Sequence, residues 1–269
     1  MKTPALVGTI ERRLLINYRV DPDAVGHLLP QGFRPQLVRG WAVAGICLLR
    51  LGHLRPRGMP SWAGLRSENA AHRVAVEWDT AAGPSHGVYI PRRDSASLPN
   101  VIVGGRLFPG VHHRARFAVD ERAGCFSVHC HSRDGTTSLS VEATLSNNFC
   151  GSALFADLAA ASAFFEGGSV GYSDGARPGR LDGMRLNTTA WRMEPVELTR
   201  VRSSFFEGAG RLDPDAVELD CGFVMRNVPV TWTSADPMVP EEGELRAGRH
   251  TRPQSRRVRA SVSLRVPGD

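Results

Sequence analysis

The chain has 269 residues, an apolar fraction of 42% and a formal net charge of +6. Those values suit one large all-β domain or two small ones, and they exclude a low-complexity or disordered chain. The basic balance is not a nucleic-acid signature, because residues 241–269 hold seven arginines against four carboxylates and supply half of the excess.

Five cysteines (Cys47, Cys125, Cys130, Cys150 and Cys221) make an odd set without paired spacing, which fits a reducing compartment. The longest apolar run, residues 41–49, is about half of what a membrane span needs. Residues 1–8 carry no signal-peptide pattern. A cytoplasmic location with no membrane partner is therefore expected.

In chain order, residues 12–20 read as a strand. Asp21-Pro22-Asp23 supplies an N-cap followed by proline, which starts a short helix ending near Leu29. Residues 33–38 and 41–51 flank Arg39-Gly40 as a hairpin. Residues 53–65, rich in Pro, Gly and Arg, read as a long loop over a barrel mouth. Residues 70–80 alternate, with His72, Val74, Val76 and Trp78 on one face and Arg73, Ala75, Glu77 and Asp79 on the other. One helical turn is expected within residues 95–103. Residues 114–119, 125–132 and 136–145 form a meander.

Residues 151–166 give the clearest helical pattern, stopped by Gly167-Gly168. A glycine-rich loop follows over residues 169–184, and residues 185–193, 217–227 and 228–233 read as strands. Many strands, one long helix and no βαβ rhythm predict an all-β fold, a closed or nearly closed antiparallel barrel. The barrel domain is expected over residues 1–234, followed by a basic, flexible tail over residues 235–269.

The chemistry concentrates in Gly104-Gly105-Arg106-Leu107-Phe108-Pro109-Gly110-Val111-His112-His113-Arg114. Glycines allow close approach of backbone to a ligand, and imidazole titrates near neutral pH. This segment resembles the Gly-Arg-Glu-x-x-Gly-x-Pro-Lys-Lys motif of the acetoacetate decarboxylase family. Glu68-Asn69 with Arg73, and Gly87-Val88-Tyr89, are similar to the DUF2071 (YqjF-like) branch of that superfamily. The resemblance implies an acetoacetate decarboxylase-like barrel around a small-molecule cavity. It places the family's Schiff-base lysine at His113 and the neighbouring lysine at Arg114.

The catalytic candidates are accordingly His113, Glu68 and Arg114, with Arg106, Arg73 and His112 as substrate-binding candidates. His113 is expected to be a neutral base, kept so by Arg114 and partial burial, with Arg106 holding the anionic group and Glu68 handling the proton. Adjacent strand residues face opposite sides, so only one of His112 and His113 points inward. His129-Cys130-His131 puts two imidazoles on one strand face, but two ligands are not a site, and no metal or other cofactor is expected.

Two functions follow. One is an enzyme of lyase, hydratase or cyclase type, doing acid–base chemistry without a Schiff base on a small organic acid or carbonyl compound. The other is a non-catalytic metabolite-binding barrel that has lost the catalytic lysine. Either takes a small anionic ligand, neither needs nucleic acid, and both leave a homo-oligomer open. An imine electron sink needs a primary amine, and the chain has 32 arginines but a single lysine, Lys2, outside the motif. Borohydride reduction in the presence of acetoacetate or pyruvate is expected to leave no adduct on the folded protein. A fold-dependent mass increase at Lys2 would refute this.

Overall fold

Strands β1 (Leu6–Val20), β4 (Trp41–Pro56) and β5 (Leu65–Thr80) carry long stretches in which successive residues are buried. Such stretches belong to strands buried on both faces. The structure, a computed structural model describing residues 4–99, 108–175, 179–207 and 212–238, shows two cores that share these strands. Side chains alternate between them: Leu14, Ile16, Ala44, Ile46, Ala70 and Val74 enter the first core, while Leu15, Val43, Cys47, Ala71 and Ala75 enter the second.

The other elements are α1 (Pro22–Gly26), the short strands β2 (Arg34–Pro35) and β3 (Leu37–Val38), β6 (Gly83–Ser95), β7 (His112–Arg122), β8 (Cys125–Ser132), β9 (Ser138–Leu145), α2 (Leu158–Gly167), β10 (Val170–Asp174), β11 (Leu181–Asn187), β12 (Glu194–Ser203), α3 (Ser204–Glu207) and β13 (Val217–Met238). They build one 13-stranded sheet that closes twice. One ring runs β5-β6-β7-β8-β9-β12-β13-β1-β4 and returns to β5; the other leaves β6 through β10 and β11 to β13. Closure removes the exposed edges that an open sheet of this size would present. Most pairings are antiparallel, but β6 pairs parallel with both β10 and β7.

Local chemistry explains the boundaries. Arg39 and Gly40 both have positive φ, 51° and 83°, and connect Val38 to Trp41 in a two-residue turn. That combination matches the twist of a hairpin. The long helix starts at Leu158 rather than residue 151, because Asp157 accepts from the Ala160 N–H and caps it. Before the cap, Ser152 Oγ and the Ala153 N–H both donate to Asp220, which ties this stretch to β13 instead.

Three expectations for loops and strands are corrected. β4 continues through Leu54, paired with Leu65, so residues 53–65 are only partly loop. Residues 169–184 contain β10, recruited by Val88 and Tyr89 of β6. Residues 217–227 and 228–233 form a single strand that bends at Asn227 (φ 53°) and reaches Met238, opposite Leu181. Residues 100–103 of the turn expected over residues 95–103, and residues 239–269 of the expected tail, lie outside the described residues.

On the first-core face, Arg12, Arg50, Glu68 and Glu121 form a closed square of alternating charge. Arg12 Nη2 and Nη1 lie 2.7 and 2.6 Å from Glu68 and Glu121, and Arg50 lies 2.5 and 3.0 Å from the same carboxylates. Arg12 is 1% exposed, so its charge depends on these partners. Glu68→Gln is expected to cost about 3 kcal/mol in denaturant unfolding, the scale of a broken buried pair. Arg66→Gln, which removes the exposed pair to Glu11, should stay within about 0.5 kcal/mol. Equal effects would remove the distinction.

Candidate functional site

The second core is not filled. Between β1, β4, β5, β6, β11 and β13 lies a cavity of about 140 Å³. An apolar cavity of roughly 150 Å³ accommodates a benzene-sized guest, so this one suits a small metabolite. Much of the wall is apolar, including Ile10, Leu51, Ile90, Met184 and Trp232. Among the described residues Arg13, Arg73, Arg93 and His112 interrupt it, together with Asn69 and Asp94.

Each arginine arrives by strand alternation. Arg13 lies on the same face of β1 as Leu15, and Arg73 lies between Ala71 and Ala75 on that face of β5. Arg93 sits opposite Ala71 in the β5–β6 register. None has a carboxylate within 4.0 Å among the described residues. Arg73, 3% exposed, donates Nη2 to Asn17 Oδ1 at 2.5 Å and rests its guanidinium 4.9 Å over Phe165. The Asn17 amide in turn donates to the Cys221 carbonyl, which fixes its oxygen toward Arg73. Nε and Nη1 of Arg73 are buried without a partner among the described residues.

Arg93 Nε donates to Ser173 Oγ, and Ser173 donates to the Ile90 carbonyl. Arg13 Nε donates to Cys47 Sγ at 3.2 Å, and its guanidinium sits 5.8 Å from the Trp191 ring centre. Burial lowers both Arg73 and Arg93 to about 10, which still leaves each charged at neutral pH. Gly110, at φ 87°, allows the backbone before β7 to approach β10. A Cβ there would meet the Ser173 side chain at 2.8 Å.

The register of β6 with β7 decides between the histidines. Arg93 pairs with His112 and Asp94 with His113, so His112 shares the cavity face and His113 the opposite one. The expectation that His113 faces the cavity is therefore corrected. His113 Nδ1 lies 2.8 Å from Asp134 Oδ2, in a network that includes Arg92, Asp94 and Ser132. Burial raises the Asp134 carboxyl, but hydrogen bonds from Ser132 and Thr136 and the charge of Arg92 outweigh it and hold the group well below the usual range. Glu68 is likewise on the far face, in the charge square. Arg114 stands opposite Ser95 and does not line the cavity. Arg106 lies outside the described residues. Of the six candidates, Arg73 and His112 meet in the cavity, while Arg13, Arg93 and Cys47 join them unforeseen.

His112 donates to the Pro109 carbonyl, while its Nε2 is buried without a partner among the described residues. A proton on Nδ1 leaves Nε2 with its lone pair toward the site. Burial, then the charge of Arg93, lowers His112 from 6.5 to about 3. Among the described residues no three His, Cys, Asp or Glu side chains come together as a metal site. His129, 3.3 Å from Ser127 Oγ, and His131 gather no third ligand there.

The doubly closed sheet and its cavity define an acetoacetate decarboxylase-like fold. The chain is similar to an acetoacetate decarboxylase-like enzyme from Sphingomonas wittichii RW1, at 13% identity and TM-score 0.54 over 88% of this chain and 95% of that one. It is similar to the enduracididine biosynthesis enzyme MppR in complex with the condensation product of pyruvate and imidazole 4-carboxaldehyde, at 15% identity and TM-score 0.55 over 89% and 90%. It is also similar to acetoacetate decarboxylase from Legionella pneumophila, at 11% identity and TM-score 0.53 over 88% of each chain. The chain belongs to the DUF2071 family of uncharacterized conserved proteins, which matches residues 8–220. No curated protein matches it. Among the described residues no helix is long and apolar enough to cross a membrane.

The lowered His112 has a signed consequence. Its folded value lies below its unfolded one, so from pH 6.5 down to about 3 the unfolded chain binds more protons and the fold loses stability as pH falls. His112→Gln should flatten the pH dependence of unfolding in that window. NMR titration of the wild-type imidazole should show it neutral at pH 6; a protonated ring at that pH would contradict the assignment.

Proposed function

We propose that the cavity binds a small organic acid, with its carboxylate held by Arg93, Arg73 and Arg13. The supporting observation is the set of three arginines around one cavity, none of them within 4.0 Å of a carboxylate among the described residues; Asp94, which also borders the cavity, is engaged by Arg92. Uncompensated buried charge costs several kcal/mol, and an anionic ligand offsets that cost. Guanidinium groups also suit a planar carboxylate by their paired donors. The solved structure of MppR with pyruvate gives a precedent for such a ligand in this fold.

His112 refines the ligand. A neutral imidazole whose buried Nε2 has no partner among the described residues is a hydrogen-bond acceptor, so the ligand carries an O–H or N–H donor beside its carboxylate. A small hydroxy acid meets both demands. Proton abstraction by His112 is disfavoured, because a base near 3 is poorly matched to neutral pH, and among the described residues no carboxylate pairs with the ring to assist it. Of the two functions, acid–base catalysis and metabolite binding, the site supports binding the better.

Calorimetry with lactate and propionate, which differ by one hydroxyl, tests this reading. Lactate should bind about tenfold more tightly, the scale of one hydrogen bond to a buried acceptor. Arg93→Gln should weaken lactate about 10–100-fold, and affinity should fall with added salt. Equal binding of both acids, or no loss in the variant, would overturn the assignment. Loss of the methyl-proton signal of pyruvate in heavy water, abolished by His112→Gln, would restore the acid–base reading.

A further inference from the structure

We propose that Cys47 is the nucleophile of this cavity, reacting with small carboxylates that carry an electrophilic carbon. The inference rests on the anion-binding reading above and deepens it. Cys47 lies on β4 between Leu15 of β1 and Ala71 of β5, is 5% exposed, and lines the cavity. Its Sγ accepts from Arg13 Nε at 3.2 Å, which fixes the thiol within reach of the arginine cluster. The second observation concerns Arg73, which lines the same cavity from the neighbouring strand with Nε and Nη1 buried and unpartnered among the described residues. Those donors mark where an anion sits, and Cys47 is the one thiol of the wall among the described residues.

The chemistry closes without a further reactant. Sulfur forms a C–S bond with a carbonyl or alkene carbon near the carboxylate, and the π electrons move to oxygen or to the neighbouring carbon. That atom takes up one proton, matching the one lost from the thiol, and nothing is oxidised or reduced. Guanidinium groups around the wall stabilise the charge as it moves off sulfur. Held geometry then replaces a bimolecular encounter.

The other cysteines provide controls in the same molecule. Cys125 and Cys150 are exposed, while Cys130 and Cys221 are buried away from the cavity, with burial pushing both thiols up, Cys130 to about 12. The folded protein is treated in parallel with iodoacetate and iodoacetamide, and each cysteine peptide is quantified by mass spectrometry. In this reaction the C–S bond forms as the C–I bond breaks, iodide leaves with the electron pair, and the thiol proton passes to buffer.

Relative to Cys125 and Cys150, Cys47 should favour the anionic reagent at least tenfold. Lactate should slow labelling of Cys47 alone, and Arg93→Gln should remove the preference while Cys47 remains reactive with iodoacetamide. Cys47 unlabelled, or labelled with the same preference as the exposed thiols, would overturn the proposal. Calorimetry of lactate on the same sample separates the two readings. Retained binding without preferential labelling defeats the thiol assignment alone, whereas loss of both defeats the anion site as well. Cys47→Ser, shown to be folded by a cooperative thermal unfolding transition, should lose the iodoacetate-selective adduct while Cys125 and Cys150 label as before; a selective adduct that persists would overturn the proposal.

Discussion

The constraint on which the molecule depends is a sheet buried on both faces. A strand with two buried faces must sort its charged residues, because each buried charge needs a partner on its own side. The pairs Arg12-Arg13 and Arg92-Arg93 show the sorting. Arg12 and Arg92 turn to the first-core face and meet Glu68, Glu121, Asp94 and Asp134. Their neighbours Arg13 and Arg93 turn to the other face and meet thiol, hydroxyl and aromatic groups instead. One face is neutralised by its own carboxylates; on the other, no carboxylate lies within 4.0 Å of Arg13 or Arg93 among the described residues.

This arrangement replaces the amine that the motif of the resembled family leads one to expect. With no lysine in the segment, electrophilic activation through an imine is unavailable. What the cavity holds instead is a group of guanidiniums, a neutral imidazole and a thiol beside a guanidinium. Burial lowers the local dielectric, which strengthens each of these polar contacts. The same fold thus hosts a different set of reactive groups at the position where its strands leave a void.

Much of the fold was legible. Period-2 alternation and turn residues located most strands, and the Arg39-Gly40 hairpin followed directly from turn chemistry. The site was half legible. Arg73 and His112 stood on recognisable motifs, yet alternation alone could not choose between His112 and His113, since that choice comes from the register with β6 more than fifteen residues upstream. Arg13 and Arg93 looked like ordinary members of basic pairs, because sequence does not show which arginine finds a carboxylate. Their signal was available in principle: two adjacent arginines at the border of an apolar strand point to opposite faces. Cys47 sat unnoticed inside an apolar run, where a thiol behaves as a small hydrophobe until its neighbours are known. The bend at Asn227 and the capture of β10 by β6 are tertiary effects that local propensity does not encode.

The pairing of β1 with β13, from Leu6 opposite Trp232 to Val20 opposite Val217, has a consequence during synthesis. β1 finds β4 early, but its other edge waits for a strand some two hundred residues later. At ribosomal speeds of about 5–20 residues per second, that wait lasts on the order of 10–40 s. Throughout it, a fifteen-residue strand with apolar side chains on both faces presents an open row of amides and carbonyls. The nascent chain is therefore most vulnerable to mispairing before its last strand emerges, and chaperone engagement should concentrate on β1 and β4 in that interval.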